Sequence, residues 1–144
     1  MRVFRIAHQR FVDDLSGEGA RRNGGRWTPP GWHAIYASEH PALAAWEKLV
    51  HMRLNLDTTP LNYELAALDV PDNNRQRIPH VPDDPQSVGK TWLQQRETLV
   101  LEIPSMVAPY SWNAIINPQH PAMSEVVLQR LGTFVFDPRA RQST

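Results

Sequence analysis

Residues 17–27 read GEGARRNGGRW: four glycines and three arginines in eleven positions, closed by a tryptophan. How this stretch is read decides the fold. The run Gly17-Glu18-Gly19-Ala20-Arg21-Arg22 supplies two glycines of the G-x-G-x-x-G fingerprint, but Arg22 stands where the third is required, and no βαβ pattern follows. A dinucleotide fold of the doubly wound type is therefore disfavoured. Two readings of the stretch remain. Successive backbone N–H groups in a glycine-rich turn can form an anion-binding nest, with Arg21, Arg22 and Arg26 as planar forks for phosphate oxygens. A surface loop with solvated arginines fits the segment equally well. A second phosphate motif fails outright. Val88-Gly89-Lys90-Thr91 resembles the end of a P-loop, but Asp84 stands where the first glycine is needed, so these residues read as ordinary helix.

The 144 residues fit one domain spanning 1–144, and a hydrophobic fraction of 41% is enough for a single core. Fifteen basic and fifteen acidic side chains cancel. A neutral chain has no general electrostatic affinity for nucleic acid or acidic membranes, so any grip on an anion is local. There is no cysteine, which removes thiolate metal sites, disulfides and a cysteine nucleophile and suits a cytoplasmic setting. The N-terminus lacks a signal-peptide core, and no apolar run is long enough to span a membrane. The six histidines show no metal-ligand spacing, and neither H-E-x-x-H nor G-x-S-x-G occurs.

Outward from the opening stretch, Val3, Phe4 and Ile6 indicate a first strand, and residues 13–25 a loop. Arg26-Trp27 starts a short extended piece that the Pro-Pro-Gly at 29–31 turns. Residues 34–37 form a second strand, and Ser38 caps a helix reaching about Leu54. Residues 62–70 alternate as a strand. Residues 71–86, rich in Pro, Asp and Asn, read as a long loop, and 87–96 as a short helix. Strands follow at 98–103 and 112–117, and two closing strands, 126–131 and 133–136, flank Gly132. The sum is an α+β domain with a mixed, mostly antiparallel sheet and few helices.

Beyond the opening stretch, two positions stand out. Wound at about 100° per residue, the helix places Leu43, Trp46, Val50 and Leu54 on one apolar stripe with Glu47 inside it and Lys48 well outside. A carboxylate on such a face is costly without a partner or a job. The alternative is an edge position that reaches water or a loop arginine. Ser105 follows Pro104 at the end of an apolar strand, where both sites and plain turns are found. Asn113, Asn117 and His120 follow closely, in a segment with ordinary Asn-Pro turn chemistry.

Taken together, Gly17-Glu18-Gly19-Ala20-Arg21, Gly24-Gly25-Arg26-Trp27, Ile35-Tyr36-Ala37-Ser38 and Leu43-Ala44-x-x-Glu47 resemble the N-terminal half of the RES domain. The segments Leu101-Glu102-Ile103-Pro104-Ser105, Asn113 to Pro121 and Phe134 to Arg139 resemble its C-terminal half. Thr28, where the family usually has Asn, and the bulky Pro30-Gly31-Trp32 turn depart from the pattern. The resemblance implies a fold similar to ADP-ribosyltransferase toxins. It implies NAD+ as substrate rather than as a cofactor, cleaved at the nicotinamide–ribose bond by hydrolysis or phosphorolysis, with transfer to a protein as the alternative. An inactive antitoxin-binding module is a further alternative. The implied role is the toxin of a bacterial type II toxin–antitoxin pair, partnered by an Xre-type helix-turn-helix antitoxin. A homodimer is implied within that complex, with DNA bound only through the antitoxin. Carried over, the catalytic residues are Arg26, Glu47 and Ser105, and the substrate-binding residues Arg21, Arg26, Tyr36 and Asn113. No metal is implied.

Overall fold

The computed structural model describes residues 1–52 and 62–140. Seven strands build one sheet: β1 (Arg2–His8), β2 (Ile35–Ser38), β3 (Tyr63–Asp69), β4 (Arg75–Arg77), β5 (Val100–Pro104), β6 (Trp112–Ile116) and β7 (Val127–Thr133). Their spatial order is β4-β5-β6-β2-β1-β3-β7. Every pairing is antiparallel except β4 with β5. Among the described residues three α-helices accompany the sheet: α1 (Glu18–Asn23), α2 (Pro41–Met52) and α3 (Pro85–Gln95). This is the α+β, mostly antiparallel architecture that the sequence predicts.

Alternation places successive side chains on opposite faces. On β6, Ala114 and Ile116 join one core cluster while Ile115 joins the other; on β5, Val100 faces the first cluster and Leu101 and Ile103 the second. Helix α3 covers the second cluster through Trp92 and Leu93. It lies so close to the chain at Trp27 that a Cβ on Gly89 would sit 1.7 Å from the Trp27 carbonyl oxygen. Helix α2 packs on the other end of the sheet, where Ala44 meets Ile6 and Phe136.

Several sequence expectations are corrected. The segment 13–25 is not all loop. Gly17, at φ 76°, starts α1, and Glu18 sits one turn before Arg21 and Arg22. That acid-before-base spacing supports a short helix despite the glycines. Arg26-Trp27 is not extended: residues 25–28 form a tight turn, with Gly25 N–H bonded to the Thr28 carbonyl at 2.8 Å. Ser38 ends β2 rather than capping a helix. The cap of α2 is His40, whose Nδ1 accepts from Ala42 N–H at 3.0 Å, ahead of a proline in the first turn. The long loop 71–86 contains β4, because Glu102 on β5 is buried and needs cations. Arg77 Nε and Arg75 NH1 supply them at 2.8 and 3.3 Å. Finally, β7 is one strand. Its register with β3 shifts at Leu65/Ala66, leaving Leu131 as the extra residue of a bulge beside Gly132 at φ 135°.

Helix α2 also turns differently from the stripe read in the sequence. Trp46 and Val50 are exposed, at 55% and 48%. Leu43 and Ala44 are buried, and Glu47 and Lys48 are both drawn inward. Leu54 lies outside the described residues. A short helix next to a cleft buries its small residues under the sheet and directs its charges into the cleft, so apolar periodicity alone misassigns the face.

Candidate functional site

A cavity of about 710 Å³ opens between α1, α2 and the strands β1 and β2. Glu47 reaches into it from α2, with its side chain only 15% exposed. Glu47 Oε1 accepts from Ser105 Oγ and from Asn113 Nδ2, each at 2.7 Å. Glu47 Oε2 lies 2.7 Å from His51 Nε2, one helical turn on. Behind this pair of contacts stands Ser38, whose Oγ donates to Asn113 Oδ1 at 2.7 Å and fixes which way the amide faces. Oε1 is therefore oriented by two neutral donors, with no cation on it among the described residues.

Ser105 is a turn residue and a site residue at once. Its Oγ accepts from the N–H groups of Val107 and Ala108 at 3.1 and 3.0 Å while donating to Glu47. With its proton committed to the carboxylate and its lone pairs to the loop, it acts here as a positioning hydroxyl. Asn117 and His120, by contrast, do turn work: Asn117 bridges Leu93 O and Gln119 N, and His120 caps the 3₁₀ turn at Ala122.

Tyr36 lines the cavity. Its hydroxyl is 2.8 Å from Thr28 Oγ1 and accepts from Trp27 N–H at 3.3 Å. Burial raises its pKa against the opposing pull of those two hydrogen bonds, so the phenol stays neutral. Thr28, a departure from the family pattern, is the anchor of Tyr36. Gly25 makes that seat possible, since a Cβ there would lie 2.6 Å from the Tyr36 hydroxyl. Trp32, the other departure, lines a separate, smaller cavity of about 310 Å³ with His33, Arg96 and Asn117.

The three loop arginines part company. Arg21 bonds Glu18 through Nε and NH2 at 2.7 and 2.5 Å, and Arg22 Nε joins at 3.1 Å. The Arg21 hydrogen bond is the main reason that the Glu18 carboxyl is held down at about 2. Arg22 and Arg26 line the cavity, while Arg21 is not among its lining residues. Arg26 has no ion pair or side-chain hydrogen bond among the described residues, which leaves its fork open to a ligand. The arrangement thus brings Arg26, Tyr36, Glu47 and Asn113 to one cavity, with Ser105 bonded to Glu47, and ties Arg21 up within α1.

Four cavity-side residues escape the sequence reading. Ser38 reads in the sequence as a helix cap, although it belongs to the Ile35-Tyr36-Ala37-Ser38 segment. His51 has the i+4 spacing from Glu47 that brings two helix side chains together. Arg5 donates to the carbonyls of Asp14 and Phe11 at 2.5 and 3.1 Å, and burial lowers its pKa. Lys48 has no acidic partner among the described residues; burial first, then the Arg5 charge, lowers its pKa below the ordinary 10.5.

That direction sets a pH dependence. With the folded pKa below the unfolded one, the unfolded state binds more protons between the two values. Lys48 therefore costs stability at neutral pH, and the cost fades as pH rises toward 10.5. Lys48→Met is expected to raise Tm at pH 7 by roughly 2–4 °C, about 1 kcal/mol for a chain of this size. The gain shrinks at pH 10. Thermal melts of both proteins at the two pH values check this; a gain that grows with pH would contradict it.

The fold and the site define a class: a small α+β domain whose antiparallel sheet and one flanking helix present an oriented carboxylate to an arginine-edged cleft. The chain belongs to the RES domain family, whose model matches residues 2–137. It is 36% identical over 142 residues to a Sphingobium protein named Prs ADP-ribosylating toxin, covering 89% of this chain and 87% of that one. It is 31% identical over 156 residues to a Yersinia enterocolitica protein named Toxin Res, covering 98% and 100%. A Pseudomonas putida protein of the same name is 31% identical, with 81% and 86% covered. The fold is shared with a chain in the crystal structure of the M. tuberculosis MbcT–MbcA toxin–antitoxin complex. That match has a TM-score of 0.66 at 22% identity and covers 96% of this chain and 85% of that one.

Proposed function

We propose that this chain is the toxin of a bacterial toxin–antitoxin pair and that it consumes NAD+ by cleaving the nicotinamide–ribose bond. The observation that carries the reading is Glu47, a nearly buried carboxylate oriented by Ser105 and Asn113 inside an arginine-edged cavity large enough for a nucleotide. Nicotinamide leaves as a neutral molecule from a cationic glycosidic nitrogen, so departure needs no general acid. What the reaction needs is negative charge beside an oxocarbenium-like ribose, already oriented before the charge develops. Glu47 supplies it. Arg26 grips the pyrophosphate, and Tyr36 stacks on the nicotinamide or ribose face. Asn113 and Ser105 hold the carboxylate in place.

Water or phosphate is the acceptor in this reading. The second reading, transfer to a protein side chain, is favoured by the name of the Sphingobium relative, an ADP-ribosylating toxin. Incubation with NAD+, phosphate and cell extract, followed by mass analysis, separates the two. ADP-ribose or its 1″-phosphate supports the first, modified protein the second, and no product at all overturns both.

The partner is an Xre-type helix-turn-helix antitoxin, and the toxin is a homodimer in their complex, with DNA contacts left to the antitoxin. The relatives' names and the toxin–antitoxin complex that shares the fold support a protein partner. Inhibition by occlusion follows from the open Arg26 fork: an acidic antitoxin segment entering the cavity competes with NAD+. A saturating antitoxin that leaves NAD+ turnover untouched would exclude it.

A further inference from the structure

Among the described residues, His51 is the one titratable group in contact with the Glu47 carboxylate, and the chemistry above leaves it without a task. Its Nε2 lies 2.7 Å from Glu47 Oε2, while Oε1 is already occupied by Ser105 and Asn113. An ionised carboxylate only accepts hydrogen bonds, so His51 provides the proton on Nε2. In the neutral ring this leaves Nδ1 with a lone pair. Nδ1 has no partner among the described residues, and His51 lines the cavity with its side chain 51% exposed. A carboxylate that fixes the tautomer on one nitrogen and leaves the other free is how an imidazole is prepared as a base.

We propose that His51 is the general base that activates the acceptor, oriented by Glu47; this rests on the NAD+-cleaving reading. As the C–N bond breaks, its electron pair leaves with nicotinamide, which becomes neutral. A lone pair of the acceptor oxygen forms the new bond to ribose C1. The acceptor proton passes to His51 Nδ1, and the imidazolium is stabilised by Glu47 Oε2 until its exposed edge releases the proton to solvent. With water as acceptor, NAD+ and water give ADP-ribose, nicotinamide and one proton. Glu47 thus serves both halves of the reaction, stabilising the ribose cation and orienting the base.

Competition between nucleophiles tests this on the intact chain. Azide attacks as an anion and needs no base, whereas water does. His51→Gln keeps an N–H donor for Glu47 Oε2 but removes the base. On this half-exposed helix position it leaves the far-ultraviolet circular dichroism spectrum unchanged. At fixed azide, the variant's ratio of ADP-ribose to ADP-ribosyl azide falls by about 10²-fold relative to the unaltered protein, and azide restores nicotinamide release. A ratio within twofold of the unaltered protein's overturns the proposal, because a merely structural histidine lowers both products together. Loss of turnover that azide does not restore overturns it as well. If the unaltered protein releases no nicotinamide from NAD+, the parent reading fails instead.

Discussion

Glu47→Gln is expected to lower kcat for NAD+ cleavage by about 10²–10³-fold, the usual effect of removing one oriented electrostatic stabiliser of a transition state. The fold tolerates the change. The glutamine oxygen still accepts from Ser105 Oγ and Asn113 Nδ2, which hold Oε1 at 2.7 Å each. Its new N–H group faces His51 Nε2, and a neutral imidazole accommodates it by switching tautomer. Stability therefore moves by no more than about 0.5 kcal/mol. What is lost is the charge beside the ribose and, with the tautomer switch, the free lone pair on His51 Nδ1, so the loss appears in kcat, while KM for NAD+ changes little. Steady-state nicotinamide release with a parallel thermal melt measures both. Near-unaltered kcat in a folded variant would remove Glu47 from the mechanism.

Gly89→Ala is expected to destabilise the chain by about 3 kcal/mol, the upper end of what overpacking a tight contact costs. That corresponds to a fall in Tm of about 10 °C for a domain of this length. The added methyl would stand 1.7 Å from the Trp27 carbonyl oxygen, which is backbone and cannot rotate away. Either α3 lifts from the sheet, opening the contacts of Trp92 and Leu93, or the turn at residues 25–28 shifts. The second route also disturbs the site, because Trp27 N–H and Thr28 Oγ1 seat the Tyr36 hydroxyl. Differential scanning calorimetry, with KM for NAD+ on the folded fraction, reads both consequences. A Tm within about 2 °C of the unaltered protein would show that the close approach is relieved at little cost.

Much of this protein is legible in its sequence for simple reasons. Val3, Phe4 and Ile6, the alternation in residues 62–70 and the apolar runs 98–103 and 112–117 locate strands. Glu47 is nominated by an apolar stripe that the fold does not keep, since Trp46 and Val50 are exposed, while Arg26 shows itself as the arginine that closes a glycine-rich turn. Such signals are local, and local pattern reports them. The tertiary structure decides what depends on partners distant in sequence. Trp46 and Val50 face outward because a cleft, not a core, lies beneath that part of α2. Strand β4 exists because Glu102, 25 residues beyond Arg77, is buried and needs a cation. Arg21 and Arg26 look equivalent in GEGARRNGGRW. Only the α1 helical turn, which puts Glu18 against Arg21, and the cavity wall, which leaves Arg26 open, tell them apart. Ser105 and Asn113 hold one carboxylate, and Ser38 holds Asn113, through bonds that span 58 to 75 residues of chain. Residue types and spacing can nominate each of them, but a hydrogen bond is a matter of ångströms, and only packing the sheet and α2 together sets those.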